Sequence, residues 1–86
     1  MSSNAERLVA IRKQLDFTQS EMAAELGLSL RAYQALEAGE SSVRAIHLLA
    51  AERVTLSNAV VRQNPMLALV EIRAEALELA RQIKGS

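Results

Sequence analysis

The sequence predicts an all-α fold, a compact bundle of five helices, and three observations carry that expectation. Half of the 86 residues are apolar but only Phe17 and Tyr33 are aromatic, so the core must be built from Leu, Ile, Val, Met and Ala, the residues of packed helices. Apolar residues recur at spacings of three and four, and no segment reads as a credible strand. Cap and stop signals cut that pattern into helix-sized pieces. A chain of this length buries only about 60 to 65% of its unfolded surface, so one small domain is expected and its core is thin.

Each helix has a local reason to begin and end. Ser3-Asn4-Ala5-Glu6 has the Ser-x-x-Glu spacing of a capping box, in which the two side chains satisfy unpaired backbone donors of the first turn. A first helix starts there, with Leu8, Ile11 and Leu15 on one face and Arg7, Arg12, Lys13 and Gln14 off it. Asp16-Phe17 interrupts, and Thr18-Gln19-Ser20-Glu21 repeats the capping-box spacing. The second helix runs from Thr18 to Leu26 and buries Met22, Ala23 and Leu26. Gly27 then supplies the positive φ that ends a helix without steric cost. Leu28 is a buried plug, Ser29 caps a third helix from Leu30 to Ala38, and Gly39 stops it. Tyr33 and Leu36 share the inward face, while Arg31, Gln34 and Ala35 point elsewhere.

Glu40-Ser41-Ser42 is a polar connection offering two caps. A fourth helix carries Val43, Ile46, Leu49 and Ala50 inward, then Val54, Leu56, Val60 and Val61, and ends near Gln63. A break is expected at Thr55-Leu56-Ser57-Asn58, where residues that favour caps over helix interiors cluster. Asn64-Pro65 is the sharpest boundary, with Asn as cap and Pro at the first helical position, where its missing N–H costs nothing. The last helix runs from there to about Lys84 and stops at Gly85.

Composition narrows the function classes. Ten basic residues balance ten acidic ones, so no global field steers the chain to nucleic acid and such a role must come from a local motif. Without Cys there are no disulfides and no thiolate metal sites, and a reducing cytoplasm is the simplest compartment. No apolar run approaches the roughly 20 residues of a membrane span, and the first residues lack the basic-then-apolar pattern of a signal. One His with no Cys leaves no credible metal shell and no Ser/His/Asp or Cys/His catalytic set. There is no Gly-rich phosphate loop, and two aromatics are too few for stacking on single strands. Neither catalysis nor a metal, cofactor or small-molecule ligand is expected.

The stretch from Gln19 to Glu37 supplies, in order, what two helices crossing steeply through a tight turn require. Ala23 is small where the helices approach, Gly27 makes the turn, and Leu28, Tyr33 and Leu36 fill the wedge. These residues resemble the helix-turn-helix of the lambda-repressor and Cro-like regulators, the XRE family. Glu37-Ala38-Gly39-Glu40 is similar to the family's Glu-x-Gly ending, and Leu8 to Leu15, with Ile11-Arg12, to its first helix. The resemblance covers about residues 5 to 52, and it implies a lambda-repressor-like DNA-binding domain. The chain departs from the family in two ways. Ser41-Ser42-Val43 stands where Pro is frequent, and Lys and Arg are fewer.

A third helix lying in the major groove offers its first turns to base edges. Arg31 and Gln34 are the polar, outward pair there, suited to guanine and adenine respectively, and Leu30 and Ala35 can pack on thymine methyls. Arg31 as a solvated helix charge and Leu30 as a core partner are the plainer alternatives. The resemblance gives Gln19 the role of phosphate ligand, and Thr18, Ser29, Ser41 and Arg44 flank the same helix. Thr18 and Ser29 are equally explained as caps. The resemblance also implies that Glu37 is neutralised internally, with Arg12 as the candidate partner.

Residues 1 to 44 hold Arg7, Arg12, Lys13, Arg31 and Arg44 against Glu6, Asp16, Glu21, Glu25, Glu37 and Glu40. One copy can therefore neutralise few phosphates, and pairing two copies on one duplex raises affinity steeply. The C-terminal segment offers the means. Leu69, Ile72, Ala76, Leu79 and Ile83 form one apolar stripe, and Met66, Val70, Leu77 and Ala80 widen it to a second face. One stripe is expected to pack on the fourth helix and the other on a second copy across a two-fold axis, Met66, Leu69, Val70, Ile72, Ala76, Leu77, Leu79 and Ile83 being the candidate interface. The alternative is that both stripes are ordinary core.

The organisation expected is thus a DNA-binding part over residues 1–63, with its motif at 18–39, and a dimerisation helix over 64–86 of the same single domain. The function expected is a sequence-specific regulator of transcription. It acts as a homodimeric repressor on a pseudo-palindromic operator, of its own or a neighbouring operon, one of phage origin included. An antitoxin-like module whose C-terminal helix holds a protein partner is the alternative.

Overall fold

In a computed structural model, residues 3–84 are described. They form α1 (Asn4–Gln14), α2 (Gln19–Leu26), α3 (Leu30–Ala38), α4 (Ala45–Val61), a single 3₁₀ turn (Pro65–Leu67) and α5 (Val70–Lys84). No strand occurs among the described residues.

The caps read from sequence at the first three helices are present. Ser3 and Thr18 each close a full capping box with Glu6 and Glu21, and the Ser29 hydroxyl accepts from the Ala32 N–H. Gly27 and Gly39 end α2 and α3 at φ 72° and 80°. The helices α1 and α4 stop in the same left-handed way without glycine, at Asp16 (φ 58°) and Gln63 (φ 54°). In both, the next two N–H groups turn back onto the last turn, Asp16 to Lys13, Phe17 to Arg12, Gln63 to Val60 and Asn64 to Ala59.

Leu8, Ile11 and Leu15 of the first segment meet Met22 and Ala23 of α2, Tyr33 and Leu36 of α3, and Leu48, Ala51 and Val54 of α4 in one core. Polar ties fix the edges. The Asn4 side-chain amide donates to the Val43 carbonyl at 2.9 Å, holding the α3–α4 link against α1. The Arg62 guanidinium donates to the Leu15 carbonyl at 3.0 Å and lies over the Phe17 ring, 5.4 Å from its centroid.

The fourth helix departs from expectation in three respects. It starts at Ala45, capped neither by Ser41 nor by Ser42. Instead the Arg44 N–H donates to His47 Nδ1 at 2.9 Å, the residue three positions into the helix reaching back to its start. It buries Leu48, Ala51, Val54, Thr55 and Ala59, whereas Ile46, Leu49, Ala50, Val60 and Val61 lie in solvent. Its apolar residues are spread almost evenly around the axis, so spacing alone does not choose a face. The face that packs is the one with smaller side chains, which lets α1 and α2 come close. Finally, no break occurs at 55–58. Thr55 Oγ1 donates to the Glu52 carbonyl at 2.7 Å and Asn58 Nδ2 to that of Val54 at 3.1 Å. Both side chains satisfy themselves within the preceding turns and the helix continues.

The last helix also starts later than Pro65. Asn64 caps, but only the 3₁₀ turn follows. Ala68 is buried and extended (φ −74°, ψ 143°), and α5 begins at Val70. The turn is anchored, because the Gln14 side chain donates to the carbonyls of Met66 and Leu67, both at 3.2 Å, and Leu67 and Leu69 pack on the core. Gly85, the expected stop, lies outside the described residues. Helix α5 itself has no fully buried residue. It projects, and the radius of gyration is 14.0 Å against about 12 Å for a compact chain of this length.

Candidate nucleic-acid interface

The geometry of α2, the turn and α3 follows from a few residues. Ala23 is 2% exposed where α3 crosses, and the Leu28 N–H closes the turn onto the Ala23 carbonyl at 2.9 Å. Tyr33 and Leu36 are driven into the core, which fixes the rotation of α3 about its own axis. The opposite side is consequently presented outward. Leu30 (42% exposed), Arg31 and Gln34 lie in solvent and Ala35 is half-buried beside them. The four candidate base-contacting residues therefore share one side of α3, and Leu30 is not a core partner.

A polar chain runs beneath that surface. Arg12 Nε donates to Glu37 Oε2 at 2.7 Å and its Nη2 to Oε1 at 3.2 Å, a two-pronged ion pair with side chains only 16% and 7% exposed. Arg12 Nη1 adds a bond to the Phe17 carbonyl at 2.9 Å, so one guanidinium joins α1, the entry to α2, and α3. Gln19 Nε2 donates to Glu37 Oε1 at 2.9 Å, and Gln34 Nε2 donates to Gln19 Oε1 at 3.2 Å. The internal partner implied for Glu37 is thus in place. The bond between Gln19 and Gln34 was not foreseen, since their separation of 15 residues has no periodic meaning until the two helices cross.

Electrostatics follow the burial. Desolvation pushes the Glu37 carboxyl up, but the Arg12 bonds, the neighbouring Tyr33 hydroxyl and Gln19 outweigh it and hold the group below the usual carboxylate range. The Glu37 hydrogen bond correspondingly raises Arg12. Burial drives the Tyr33 phenol up, and its hydroxyl sits beside the pair but is aligned with neither partner.

The flanking candidates are placed less uniformly. The Thr18 and Ser29 hydroxyls each accept a backbone N–H at 3.1 Å, so both serve as caps. Gln19 has both ends of its amide engaged inside the protein. Ser41 and Arg44 are exposed and line a groove between α3 and the start of α4 with Leu28, Ala32 and Ile46. Among the described residues no cluster of His, Cys, Asp or Glu could hold a metal ion, and no helix is long and apolar enough to cross a membrane.

A helix-turn-helix family profile matches residues 8–55, from within α1 through the middle of α4. The chain belongs to the XRE, lambda-repressor-like helix-turn-helix family. No curated protein and no solved structure matches it. Members of this family are DNA-binding regulatory domains rather than typical enzymes, and the protein is a DNA-binding helix-turn-helix regulator. The matched segment contains the whole chain of side chains from Arg12 to Glu37 and stops short of α5.

The candidates of the C-terminal segment divide into three groups. Leu69 is packed against the core, Ile72 and Ala76 are half-buried toward α4, and Met66, Val70, Leu77, Leu79 and Ile83 are exposed. Sequence reasoning missed the outer face of α4, where Ile46, Leu49, Val60 and Val61 are 62 to 81% exposed. An amphipathic pattern would have revealed it; in a helix apolar all round there was none to read.

Proposed function

We propose that this regulator represses transcription as a homodimer bound to a pseudo-palindromic operator, in its own or a neighbouring operon, by occluding polymerase. Arg31 and Gln34 read base edges, Leu30 and Ala35 pack on thymine methyls, and Thr18, Gln19, Ser29, Ser41 and Arg44 hold phosphates. The observation that carries base readout is the rotation of α3, which buries Tyr33 and Leu36 and leaves Arg31 and Gln34 in solvent.

Pairing of copies is supported by two facts. The zero net charge limits the phosphate contacts of one copy. The exposed apolar side chains of α5, with those of the outer face of α4, form a surface that a lone copy leaves in water. In this reading Met66, Val70, Leu77, Leu79 and Ile83 meet the second copy. Leu69, Ile72 and Ala76 hold α5 to its own body.

A band-shift with DNA upstream of the chain's own operon tests the function. Wild type shifts the fragment, and Arg31→Ala with Gln34→Ala abolishes the preference over unrelated DNA of the same length. Equal affinity of the double variant for both fragments would refute the readout. Light scattering at the same concentrations gives a two-copy mass. A monomer that forms a complex only with the product of an adjacent gene would replace the homodimer with an antitoxin-like role.

A further inference from the structure

The hydrogen bonds between Glu37, Gln19 and Gln34 have a forced direction. An ionised carboxylate only accepts, so the group of Gln19 that faces Glu37 at 2.9 Å must be its NH₂. The other end of that amide, its carbonyl oxygen, then faces Gln34, and also only accepts. The group Gln34 offers at 3.2 Å must in turn be its NH₂. What Gln34 keeps free is its carbonyl oxygen and one N–H, neither with another protein partner among the described residues. One acceptor beside one donor matches adenine, which shows N6–H₂ and N7 in the major groove, and mismatches guanine, which shows two acceptors, N7 and O6.

We propose that Glu37, fixed by Arg12, is a positioning residue for base readout: it sets the direction of the hydrogen bonds through Gln19 and thereby makes Gln34 select adenine over guanine. This rests on the reading of Gln34 as a base-contacting residue. Arg12 matters because its Nε bond to Glu37 Oε2, at 2.7 Å, is the shortest of the set and demands an acceptor there. In Glu37→Gln the carbonyl oxygen stays on Arg12 Nε, and the new NH₂ takes the place of Oε1 opposite Gln19, giving up the longer Arg12 Nη2 bond of 3.2 Å. Gln19 then turns its carbonyl toward that NH₂ and its own NH₂ toward Gln34. Gln34 answers with its carbonyl, and two N–H groups are left for DNA. Two donors suit guanine.

The test uses the full chain and sites selected by the wild-type protein from a randomised duplex library. The position read by Gln34 is the one where Gln34→Ala loses discrimination, and duplexes are compared that carry A·T or G·C there. Wild type prefers A·T by about five-fold or more. Glu37→Gln narrows or reverses that preference, gains for G·C and not for the other two pairs, and leaves discrimination at the position lost in Arg31→Ala as it was. Thermal melting establishes that the variant is folded. Gln19→Met leaves the ion pair whole, breaks both amide bonds, and narrows the same preference by freeing the Gln34 amide to turn over; it decides the matter if Glu37→Gln does not fold. Full adenine preference in folded Glu37→Gln or in Gln19→Met overturns the proposal, as does an equal loss at every position, which marks a structural role. If Gln34→Ala changes discrimination nowhere, the base-contact reading itself fails and takes this one with it.

Discussion

Arg12 and Glu37 lie 25 residues apart and meet in a two-pronged ion pair that joins the first helix to the third beneath the outward surface of α3. Removing one partner of such a pair leaves the other charged and out of water, which costs more than the pair contributes when whole. Arg12→Ala should therefore destabilise the fold by about 3 kcal/mol, read as a lower denaturant midpoint at unchanged slope.

The same pair sets a pH dependence. The folded-state pKa of Glu37 lies below its ordinary 4.5, so the unfolded chain binds this proton more readily than the folded one. Its contribution is fully present above pH 4.5 and is lost as pH falls through the lower folded value. The stability gap between wild type and Glu37→Gln should accordingly close on acidification below that point. A gap that stays constant to the acid limit would mean that ionisation of Glu37 is not what stabilises the fold.

Helix ends give a third expectation. A Cβ at Gly27 or Gly39 would touch nothing within 4 Å, so only the left-handed backbone, φ 72° and 80°, opposes a side chain. Alanine at either position should cost about 1 kcal/mol, and asparagine less. Gln63, at φ 54°, bears that strain already, and Gln63→Gly should be neutral or slightly stabilising. Urea titration of the five variants is sufficient.

What was legible in the sequence was whatever is encoded within a turn or two. Ser3, Thr18 and Ser29 name their own helix starts, and Gly27 and Gly39 their ends, because capping partners sit three residues away. The inward face of α3 was legible for a related reason: Tyr33 and Leu36 stand against polar neighbours. In α4 that contrast is missing, and the burying face was fixed instead by packing of Leu48, Ala51 and Val54 into the core shared with α1, α2 and α3. The start of α5 was set by the burial of Ala68 and by Gln14, more than 50 residues away, reaching to the 3₁₀ turn. Within the interface, Arg31 and Gln34 could be named as outward, but the direction in which Gln34 is hydrogen-bonded could not. That direction arises only where three helices converge on one carboxylate.

Base and phosphate contacts should separate in salt titrations. Arg31→Ala should cost about 1 to 3 kcal/mol on the selected site and relax preference at one base pair. Arg44→Ala should weaken binding to all sequences alike and lower the slope of log K against log salt by about 1 for each copy bound. A change of slope with Arg31→Ala and none with Arg44→Ala would reverse the two assignments.

The dimer surface is tested most cleanly where a charge cannot disturb the fold. Leu77 on α5 and Leu49 on α4 are 66% and 62% exposed in a single copy, so a glutamate at either costs the monomer little, within about 0.5 kcal/mol. Leu77 also borders an apolar groove of about 350 Å³ between the two helices, with Leu56, Val60 and Ala76. A carboxylate there loses its water when a second copy approaches, a cost that Arg73, which also lines the groove, offsets only in part. Leu77→Glu should therefore give a one-copy mass by sedimentation at concentrations where wild type is paired, and lower operator affinity at least ten-fold through lost bivalency. If the outer face of α4 belongs to the same interface, Leu49→Glu behaves likewise; if α5 pairs alone, Leu49→Glu leaves both mass and affinity as in wild type. Because neither substitution touches α3, non-specific affinity of the single copy should survive in both.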